Sequence, residues 1–394
     1  MSNRRLQIVA DNHIWGVQRA CSTLPGFNVD LQAVEAGEIT RERLQKADIL
    51  LTRSSTRVDA ELLKGTNVRF VATATIGDDH YDKAWLQSNG ISWASAAGSS
   101  TGSVVEYMTA VLLELHVRGL ISIPDSTLAI IGVGRIGTAL AGMCEKLDMQ
   151  LLLNDPPRER AEGGGRFSSM RSVLDEADIV TLHTPLLRHG GDRTLHLIDT
   201  EWLSRFQGRG IINAARGGCI DNRALLNWLD GDVERFAVLD CWEREPDILK
   251  PLLAHPQTVI ATPHIAGHSL DGKAANTQYV YNALCSFLGI EPAWSIEDEL
   301  PAVEEVEQVV ADDGLWGSLH ALATTLYPIM QDDRVMKSWL GLPDDSLPDS
   351  FSAFRRNYPV RRAWKSGQVT VPNAGEMLIQ YAHAIGIDVQ HSRR

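Results

Sequence analysis

The segment from Thr127 to Asp155 constrains the fold of this chain more than any other part of the sequence. An apolar run, a glycine turn, a helical pattern and a second apolar run follow one another: Leu128–Ile131, Gly132-x-Gly134-x-x-Gly137, a segment to about Leu147, and Leu151–Leu153. This order predicts a strand, a turn, a helix and a second parallel strand, the unit that binds dinucleotides.

Each glycine of the turn has a physical role in such a unit. Gly132 permits the tight turn, Gly134 lets a pyrophosphate approach the backbone, and Gly137 lets the helix lie close to the strand. Arg135 and Ile136 lie between the last two glycines, so we include them in the predicted cofactor site. The helix N-terminus would face the phosphates with free N–H groups.

Asp155 ends the second apolar run, about 20 residues beyond the first glycine, where a carboxylate accepts hydrogen bonds from ribose hydroxyls. A carboxylate there also repels a 2′-phosphate, which favours NAD over NADP. The alternative is a glycine-rich turn with no ligand, but the two strands, the helix and the acidic residue together argue against it.

Further strands are predicted on both sides of this unit, alternating with helices. They are Leu6–Ala10, Ile49–Thr52, Phe70–Ala74, Asp178–Leu182, Gly210–Ala214, Phe236–Leu239 and Thr258–Ala261. Alternating strands and helices predict an α/β fold with doubly wound parallel sheets and right-handed crossovers. A long buried helix is expected between Thr101 and Arg118.

The length of 394 residues predicts more than one domain. We expect a dinucleotide-binding domain at 104–266 and a discontinuous substrate domain at 1–103 and 267–290, with a returning helix at Leu270–Leu288. Residues 295–313 carry eight acids and no base, and residues 354–365 carry five bases and no acid. This shift in composition predicts a third domain at 291–394.

Composition narrows the class of protein. Apolar residues make up 44% and charged residues 22%, as in ordinary globular enzymes, and the net charge of −13 argues against a nucleic-acid partner. Five widely spaced cysteines without CxxC pairs favour a reducing compartment. The start of the chain lacks the apolar core of a signal peptide, and no run reaches the length of a membrane span, so we expect a cytoplasmic protein.

Polar side chains follow the predicted strands of the second half: His183, Arg216, Asp240 with Glu243 and Glu245, and His264. In doubly wound sheets, ligands bind beyond the carboxyl ends of the strands, so we expect these groups to converge on one cleft. His264 and His268 have the spacing of two metal ligands on a helix. No cluster of Asp, Glu or Cys accompanies them, and we predict no metal.

These same residues make the chain similar to the D-2-hydroxyacid dehydrogenase family. The resemblance covers nearly the whole chain, through GVGRIG with LLLNDPPR, HTPL (183–186), INAARGG (212–218), VLDCWEREPD (238–247) and PHIAGHSLDGKA (263–274). It implies NAD as cofactor, a flavodoxin-like substrate domain, and a C-terminal α/β domain that forms a homodimer.

The resemblance also implies roles for single residues. His264 would be the acid/base, Glu245 its partner and Arg216 the anchor of the substrate carboxylate. The implied cofactor contacts are Thr184, Ala214, Asp240 and Gly267, and the implied substrate contacts are Ser54, Thr75 and His268. A phosphorylated substrate would also need cations, which Arg53 and Arg57 offer on either side of Ser54. A histidine that titrates near neutrality suits removal of the hydroxyl proton of a 2-hydroxy acid.

The expected substrate is a small phosphorylated 2-hydroxy acid, and we expect Arg361 or Arg362 of one subunit to assist phosphate binding in the other.

One segment and two single residues depart from the family pattern: Ala97–Thr101, Asp78 and His268. They leave the substrate open, with 3-phosphoglycerate or hydroxypyruvate as alternatives. A binding protein that senses NAD without turnover is a further alternative, and the presence of Arg216, Glu245 and His264 argues against it.

Overall fold

The structure, a computed structural model, describes residues 4–303, 306–307, 314–372 and 374–392. The chain divides into two compact units. The first comprises Met1–Ser100 and Ser269–Ala302, and the second comprises Thr101–His268 and Val303–Arg394. Part of the predicted acidic segment, residues 304–305 and 308–313, lies outside the described residues.

Within the described residues the strands, in chain order, are β1 (Arg4–Asp11), β2 (Phe27–Val34), β3 (Ile49–Thr52), β4 (Phe70–Thr73), β5 (Ser92–Ser95), β6 (Thr127–Ile131), β7 (Gln150–Asn154), β8 (Ile179–Leu182), β9 (Gly210–Asn213), β10 (Phe236–Leu239), β11 (Thr258–Ala261), β12 (Val306–Glu307), β13 (Gln368–Pro372) and β14 (Asp388–Ser392). The α-helices are α1 (Val17–Ser22), α2 (Arg41–Leu44), α3 (Ala60–Leu63), α4 (Lys83–Ser88), α5 (Thr101–Val117), α6 (Arg135–Lys146), α7 (Pro156–Glu162), α8 (Met170–Glu176), α9 (Thr200–Arg205), α10 (Asn222–Asp230), α11 (Lys250–Ala254), α12 (Leu270–Leu288), α13 (Gly314–Leu326), α14 (Ile329–Ser338), α15 (Leu347–Arg356) and α16 (Glu376–Ala384).

The first unit is built on a parallel sheet of order β2-β1-β3-β4-β5, the flavodoxin-like order. Its central strands β3 and β4 are buried along their whole length, as their continuous apolar sequence predicts. Helix α12 adds Val280, Tyr281 and Leu284 to one of its two cores. Ser269 caps the start of α12 by accepting a hydrogen bond from Gly272 N (2.9 Å), and Gly289 ends it in the left-handed conformation.

The second unit contains a parallel sheet of order β11-β10-β9-β8-β6-β7. Both main sheets are parallel with alternating helices, so the predicted fold class is confirmed. The strand order reverses beside β6, and this reversal marks the position at which doubly wound sheets bind ligands.

Residues from Val303 onward belong to the same compact unit as Thr101–His268, and the expected division into three domains stays a prediction. Leu319 and Leu322 of α13 and Trp364 share one core with the long helix α5. The backbone N–H of Trp364 also donates to Glu106 of α5 (2.9 Å). Strands β12, β13 and β14 form a small parallel sheet of their own. Whether this region pairs two subunits stays a prediction.

Candidate active site

The glycine turn has the geometry that a dinucleotide requires. Gly132 has φ +91°, and a Cβ there would lie 2.7 Å from the backbone of His183. A Cβ on Gly137 would lie 2.1 Å from the Gly132 oxygen, so helix α6 can approach the turn only with glycine. A Cβ on Gly134, in contrast, would meet nothing within 4 Å.

The open space around Gly134 lies at the N-terminus of α6. Gly134 is the N-cap of this helix and supplies no side-chain acceptor for its first N–H groups. Arg135 is exposed and Ile136 half-buried in the first turn. Exposed N–H groups with the positive end of a helix dipole fit a pyrophosphate, so these residues fit the NAD that the glycine pattern predicts.

Asp155 lies directly after β7, as predicted, and orders the glycine turn. One carboxylate oxygen accepts from Val133 N (2.9 Å), and the other accepts from Arg158 N (3.1 Å) and caps α7. The Arg158 guanidinium is paired with Glu162 (2.6 Å), and that pair was not predicted from the sequence. The contact of Asp155 with a ribose stays a prediction.

His264 and Glu245 form a close pair. Nδ1 of His264 is hydrogen-bonded to Oε1 of Glu245, and Trp242 N donates to the other carboxylate oxygen (3.3 Å). Burial raises the pKa of Glu245, but the imidazole charge and hydrogen bond of His264, with the charge of Arg355, outweigh burial and leave that pKa below its ordinary value. Since Nδ1 is held by the carboxylate, Nε2 is the nitrogen available for proton exchange.

Asp240 fixes the loop that carries His264. It is 1% exposed, and its carboxylate accepts from Thr262 Oγ1 (2.8 Å), Ile265 N (2.7 Å) and Ala266 N (3.1 Å). Burial raises its pKa despite these donors. The role visible in the structure is therefore anchoring, which the sequence did not reveal, and the implied contact with the cofactor stays a prediction.

Arg216 follows β9 in a loop packed tightly against the loop after β10. A Cβ on Gly217 would lie 1.8 Å from Trp242 O, so only glycine allows this approach. Asn213 joins the two loops by donating to the carbonyls of Arg216 (3.1 Å) and Cys241 (3.2 Å). Asn213 is fully buried at the end of β9, and a polar side chain ending an apolar strand was the available signal for it.

Other candidate acid/base groups are excluded by their surroundings. His183 is half-buried with its Nε2 beside Thr181 Oγ1 (3.1 Å), and desolvation of the ring lowers its pKa to about 4, so it is a weak base. Glu243 turns away from His264 and pairs with His196 (2.5 Å) and Asn222 N (3.2 Å). Glu245 is thus the partner of His264, whereas Glu243 is the partner of His196, and the catalytic role of the first pair stays a prediction.

Two arginines near the end of the chain also contact the His264 loop. Arg355 Nε donates to His264 O (3.3 Å), and Arg361 Nη2 donates to Ala266 O (3.3 Å). Arg361 is 7% exposed and lies 3.9 Å from the centre of the Tyr327 ring. Because its guanidinium is buried in its own chain, the expectation that Arg361 reaches a partner subunit does not fit the structure. That expectation now depends on Arg362, which is half-buried.

The buried carboxylate of Asp332 was not predicted from the sequence. Asp332 accepts from Tyr358 OH (2.7 Å) and Tyr327 OH (3.1 Å), and the edge of His268 lies against the Tyr358 ring. On the next residue, Asp333 accepts from Ala261 N (2.8 Å) at the end of β11. The C-terminal segment thus holds the strand and loop that lead to His264.

The remaining cofactor candidates lie near the glycine turn. Thr184 Cγ2 lies 2.8 Å from a Cβ placed on Gly132, and its hydroxyl lies 3.5 Å from Cys219 Sγ. Ala214 is buried just after β9, and Gly267 is half-buried in the turn after Ala266.

The predicted substrate residues of the first unit occupy the ends of its strands. Ser54 is exposed just after β3, and Arg53 beside it donates to His13 O (3.5 Å). Thr75 Oγ1 is bonded to Thr73 Oγ1 (2.7 Å) and to Gly77 O (2.9 Å).

The structure shows the contacts of two of the departures from the family pattern, Asp78 and the segment Ala97–Thr101. Asp78 is neutralised by Lys83 (2.6 Å), so its carboxylate is not an unbalanced charge. Ser99 Oγ is hydrogen-bonded to Asn276 of α12, and Ser100 is buried beside it.

Within the described residues, no helix is long and apolar enough to cross a bilayer. No group of three or more His, Cys, Asp or Glu side chains in the same residues is arranged to hold a metal.

Solved structures share the fold. D-Lactate dehydrogenase from Aquifex aeolicus, complexed with NAD and lactic acid, superposes with a TM-score of 0.59 at 21% identity, covering 72% of this chain and 95% of that one. The NAD-bound 3-phosphoglycerate dehydrogenase of Entamoeba histolytica gives 0.60 at 20% identity, covering 72% and 96%.

Sequence comparison identifies the family. Residues 114–266 match the NAD binding domain of D-isomer specific 2-hydroxyacid dehydrogenases, which confirms NAD as the cofactor. Erythronate-4-phosphate dehydrogenase of Salmonella arizonae is 39% identical over 346 residues, 88% of this chain and 90% of that protein. The enzyme of the same name from Photorhabdus laumondii is 39% identical over 345 residues, 87% and 90% of the two chains. The chain therefore belongs to the erythronate-4-phosphate dehydrogenase family, within the D-isomer specific 2-hydroxyacid dehydrogenases.

Proposed function

We propose that this protein oxidises 4-phospho-D-erythronate to 2-oxo-3-hydroxy-4-phosphobutanoate with NAD, as a step in the biosynthesis of pyridoxal 5′-phosphate. The observation that carries this proposal is the pair of His264 and Glu245 at the carboxyl ends of the sheet. The relatives' names supply the substrate, since both relatives cited above are named for it.

The reaction removes a hydride from C2 of the substrate and a proton from the hydroxyl group that C2 carries. NAD supplies the acceptor for the hydride. Nε2 of His264 takes the hydroxyl proton as a general base, and the Glu245 carboxylate stabilises the imidazolium that results. The Asp240 carboxylate accepts from the Thr262 hydroxyl before His264 and from the two backbone N–H groups that follow His264, which keeps the imidazole in one orientation.

Arg216 is the proposed anchor of the substrate carboxylate. A guanidinium binds a carboxylate with two parallel hydrogen bonds, and this geometry fixes which face of C2 presents its hydrogen. Ser54, Thr75 and His268 are proposed substrate contacts, and Asp155 is proposed to bind the ribose and to favour NAD over NADP. We also propose a homodimer formed by the C-terminal region and a cytoplasmic location, supported by five free, buried cysteines.

The test is a substrate panel. Purified protein with NAD is offered 4-phospho-D-erythronate, 3-phosphoglycerate and D-lactate separately, and reduced nicotinamide is followed by its absorbance. The reverse reaction is measured with hydroxypyruvate and NADH. We expect turnover to be fastest with 4-phospho-D-erythronate and to be lost in His264→Ala. Faster turnover of another acid would reassign the substrate, and NAD binding with no turnover of any acid would favour a sensing role.

A further inference from the structure

Two cationic side chains of the first unit, Arg53 and Lys273, interact electrostatically, and no role has yet been assigned to Lys273. Arg53 follows the end of β3, and Lys273 lies in the first turns of α12. Burial, and after it the positive charge of Arg53, lower the pKa of Lys273 to about 8. A half-buried ammonium beside a second cation is unfavourable unless an anion balances the charges.

The structure holds these two residues in place through one segment, His13–Trp15, which follows β1. Arg53 Nη1 donates to His13 O (3.5 Å). Thr277, one turn beyond Lys273 on α12, donates to Trp15 O (2.6 Å). The end of β3 and the start of α12 are therefore fastened to the same short segment, so the two cations are brought together by the fold itself.

Several other cations of the first unit have an acidic partner. Lys83 is paired with Asp78 (2.6 Å), and Arg57 is paired with Asp59 (2.8 Å). Lys273 differs, because within the described part of the chain no carboxylate oxygen lies within 4.0 Å of its Nζ. Ser54, next to Arg53, exposes a hydroxyl that can donate a further hydrogen bond.

We propose that Lys273 and Arg53 form the subsite that binds the phosphate group of the substrate. This inference rests on the proposed function and extends it, since it names a residue of α12 that recognises the phosphate. A phosphate monoester carries close to two negative charges near neutral pH, which the two cations balance. Arg53 offers a planar pair of donors and Lys273 a compact point charge, the two ways in which proteins bind phosphate oxygens.

The subsite gives the chain a means to discriminate between substrates that share the same reacting end. Arg216 recognises the carboxylate that all 2-hydroxy acids carry, whereas Lys273 and Arg53 recognise a group that only phosphorylated ones carry. Charge-assisted contacts of this kind typically change affinity by about 10- to 100-fold each. The expected effect of losing Lys273 is therefore specific to phosphorylated substrates.

The experiment compares Lys273→Met with Lys273→Arg and with Lys64→Met, which removes an exposed lysine of the same unit. KM is measured for 4-phospho-D-erythronate, and D-erythronate is tested as substrate or inhibitor. We expect Lys273→Met to raise KM for the phosphorylated acid by about 10- to 100-fold. Binding of D-erythronate and NAD is expected to be unchanged, and Lys273→Arg and Lys64→Met are expected to resemble the wild type. Equal losses for both acids, or no loss, would overturn the proposal.

A second measurement separates this inference from the choice of substrate. Inorganic phosphate should raise the melting temperature of the wild type and of Lys64→Met more than chloride of equal ionic strength does. It should not do so for Lys273→Met or Arg53→Met. That result would support the subsite even if 4-phospho-D-erythronate were not oxidised, which would contradict the proposed function alone. An equal effect of phosphate on all the variants would refute the subsite.

Discussion

The pairing of Glu245 with His264 predicts how strongly the two residues depend on each other. Glu245→Gln keeps the length of the side chain and an oxygen that can accept from Nδ1, so it removes the charge with little change of shape. A hydrogen bond to a charged group contributes about 1.5–3 kcal/mol. At about 1.36 kcal/mol per tenfold change in rate, kcat/KM is expected to fall by about 10- to 150-fold.

The two residues are expected to act as one unit. His264→Ala should lower kcat by about 10²–10⁴-fold, the usual contribution of a positioned general base. Because Glu245 acts through His264, the double variant should be no slower than His264→Ala alone. Glu243→Gln is the matched control, since Glu243 lies two residues away but pairs with His196. It should lower stability and leave kcat close to that of the wild type.

The assay is steady-state oxidation of 4-phospho-D-erythronate with saturating NAD, with folding of each variant confirmed by its thermal transition. Two results would refute the reasoning. One is a loss in Glu243→Gln as large as that in Glu245→Gln. The other is a double variant whose loss is the product of the two single losses, because independent contributions would mean that Glu245 does not work through the imidazole.

The remaining predictions concern the glycine turn, the cofactor, the buried acids and pH. Gly134→Ala should fold normally but weaken NAD binding, whereas Gly137→Ala should lower the melting temperature. Of these two positions, only 137 would bring the new Cβ against backbone atoms. Equal melting temperatures of the two variants would contradict this prediction. Asp155→Ala should narrow the preference for NAD over NADP and cost about 1 kcal/mol of stability through the lost helix cap, measured by cofactor titration and denaturant unfolding. Asp332→Ala should lower the free energy of unfolding by about 2–6 kcal/mol, because two buried hydroxyls lose their acceptor; a loss below 1 kcal/mol would argue against the network. The pKa of Glu245 is below its ordinary value of 4.5, so its ionised form stabilises the fold above about pH 4.5, and this contribution disappears as pH falls through the lowered pKa. The melting temperature of Glu245→Gln should therefore depend less on pH in that acidic range.

Much of the fold could be predicted because the buried parallel strands have continuous apolar sequences. Strands β10 and β11 and helix α12 have the predicted bounds. Strands β2 and β5 were missed, since β2 mixes polar and apolar residues on a half-exposed edge and β5 reads Ser-Trp-Ala-Ser. Edge strands are covered on fewer sides, so their composition carries a weaker signal.

The candidate site could be predicted only where a residue follows a strand. His264, Arg216 and Asp155 were predicted in this way, and their roles stay predictions. Position after a strand could not choose between Glu243 and Glu245; the family resemblance indicated Glu245, and the structure pairs Glu245 with His264. Nor could it place Arg355, which reaches the carbonyl of His264 from a position 91 residues away along the chain.

The contacts of Arg355 and Arg361 bear on how the protein becomes active during synthesis. The glycine turn and its flanking strands leave the ribosome long before either arginine has been added to the chain. Domains generally begin to fold from the N-terminus as they emerge. The carbonyls of His264 and Ala266 receive their arginine donors only when translation is almost finished. The residues predicted to bind the cofactor are thus available early, while the loop that carries His264 gains these two donors late.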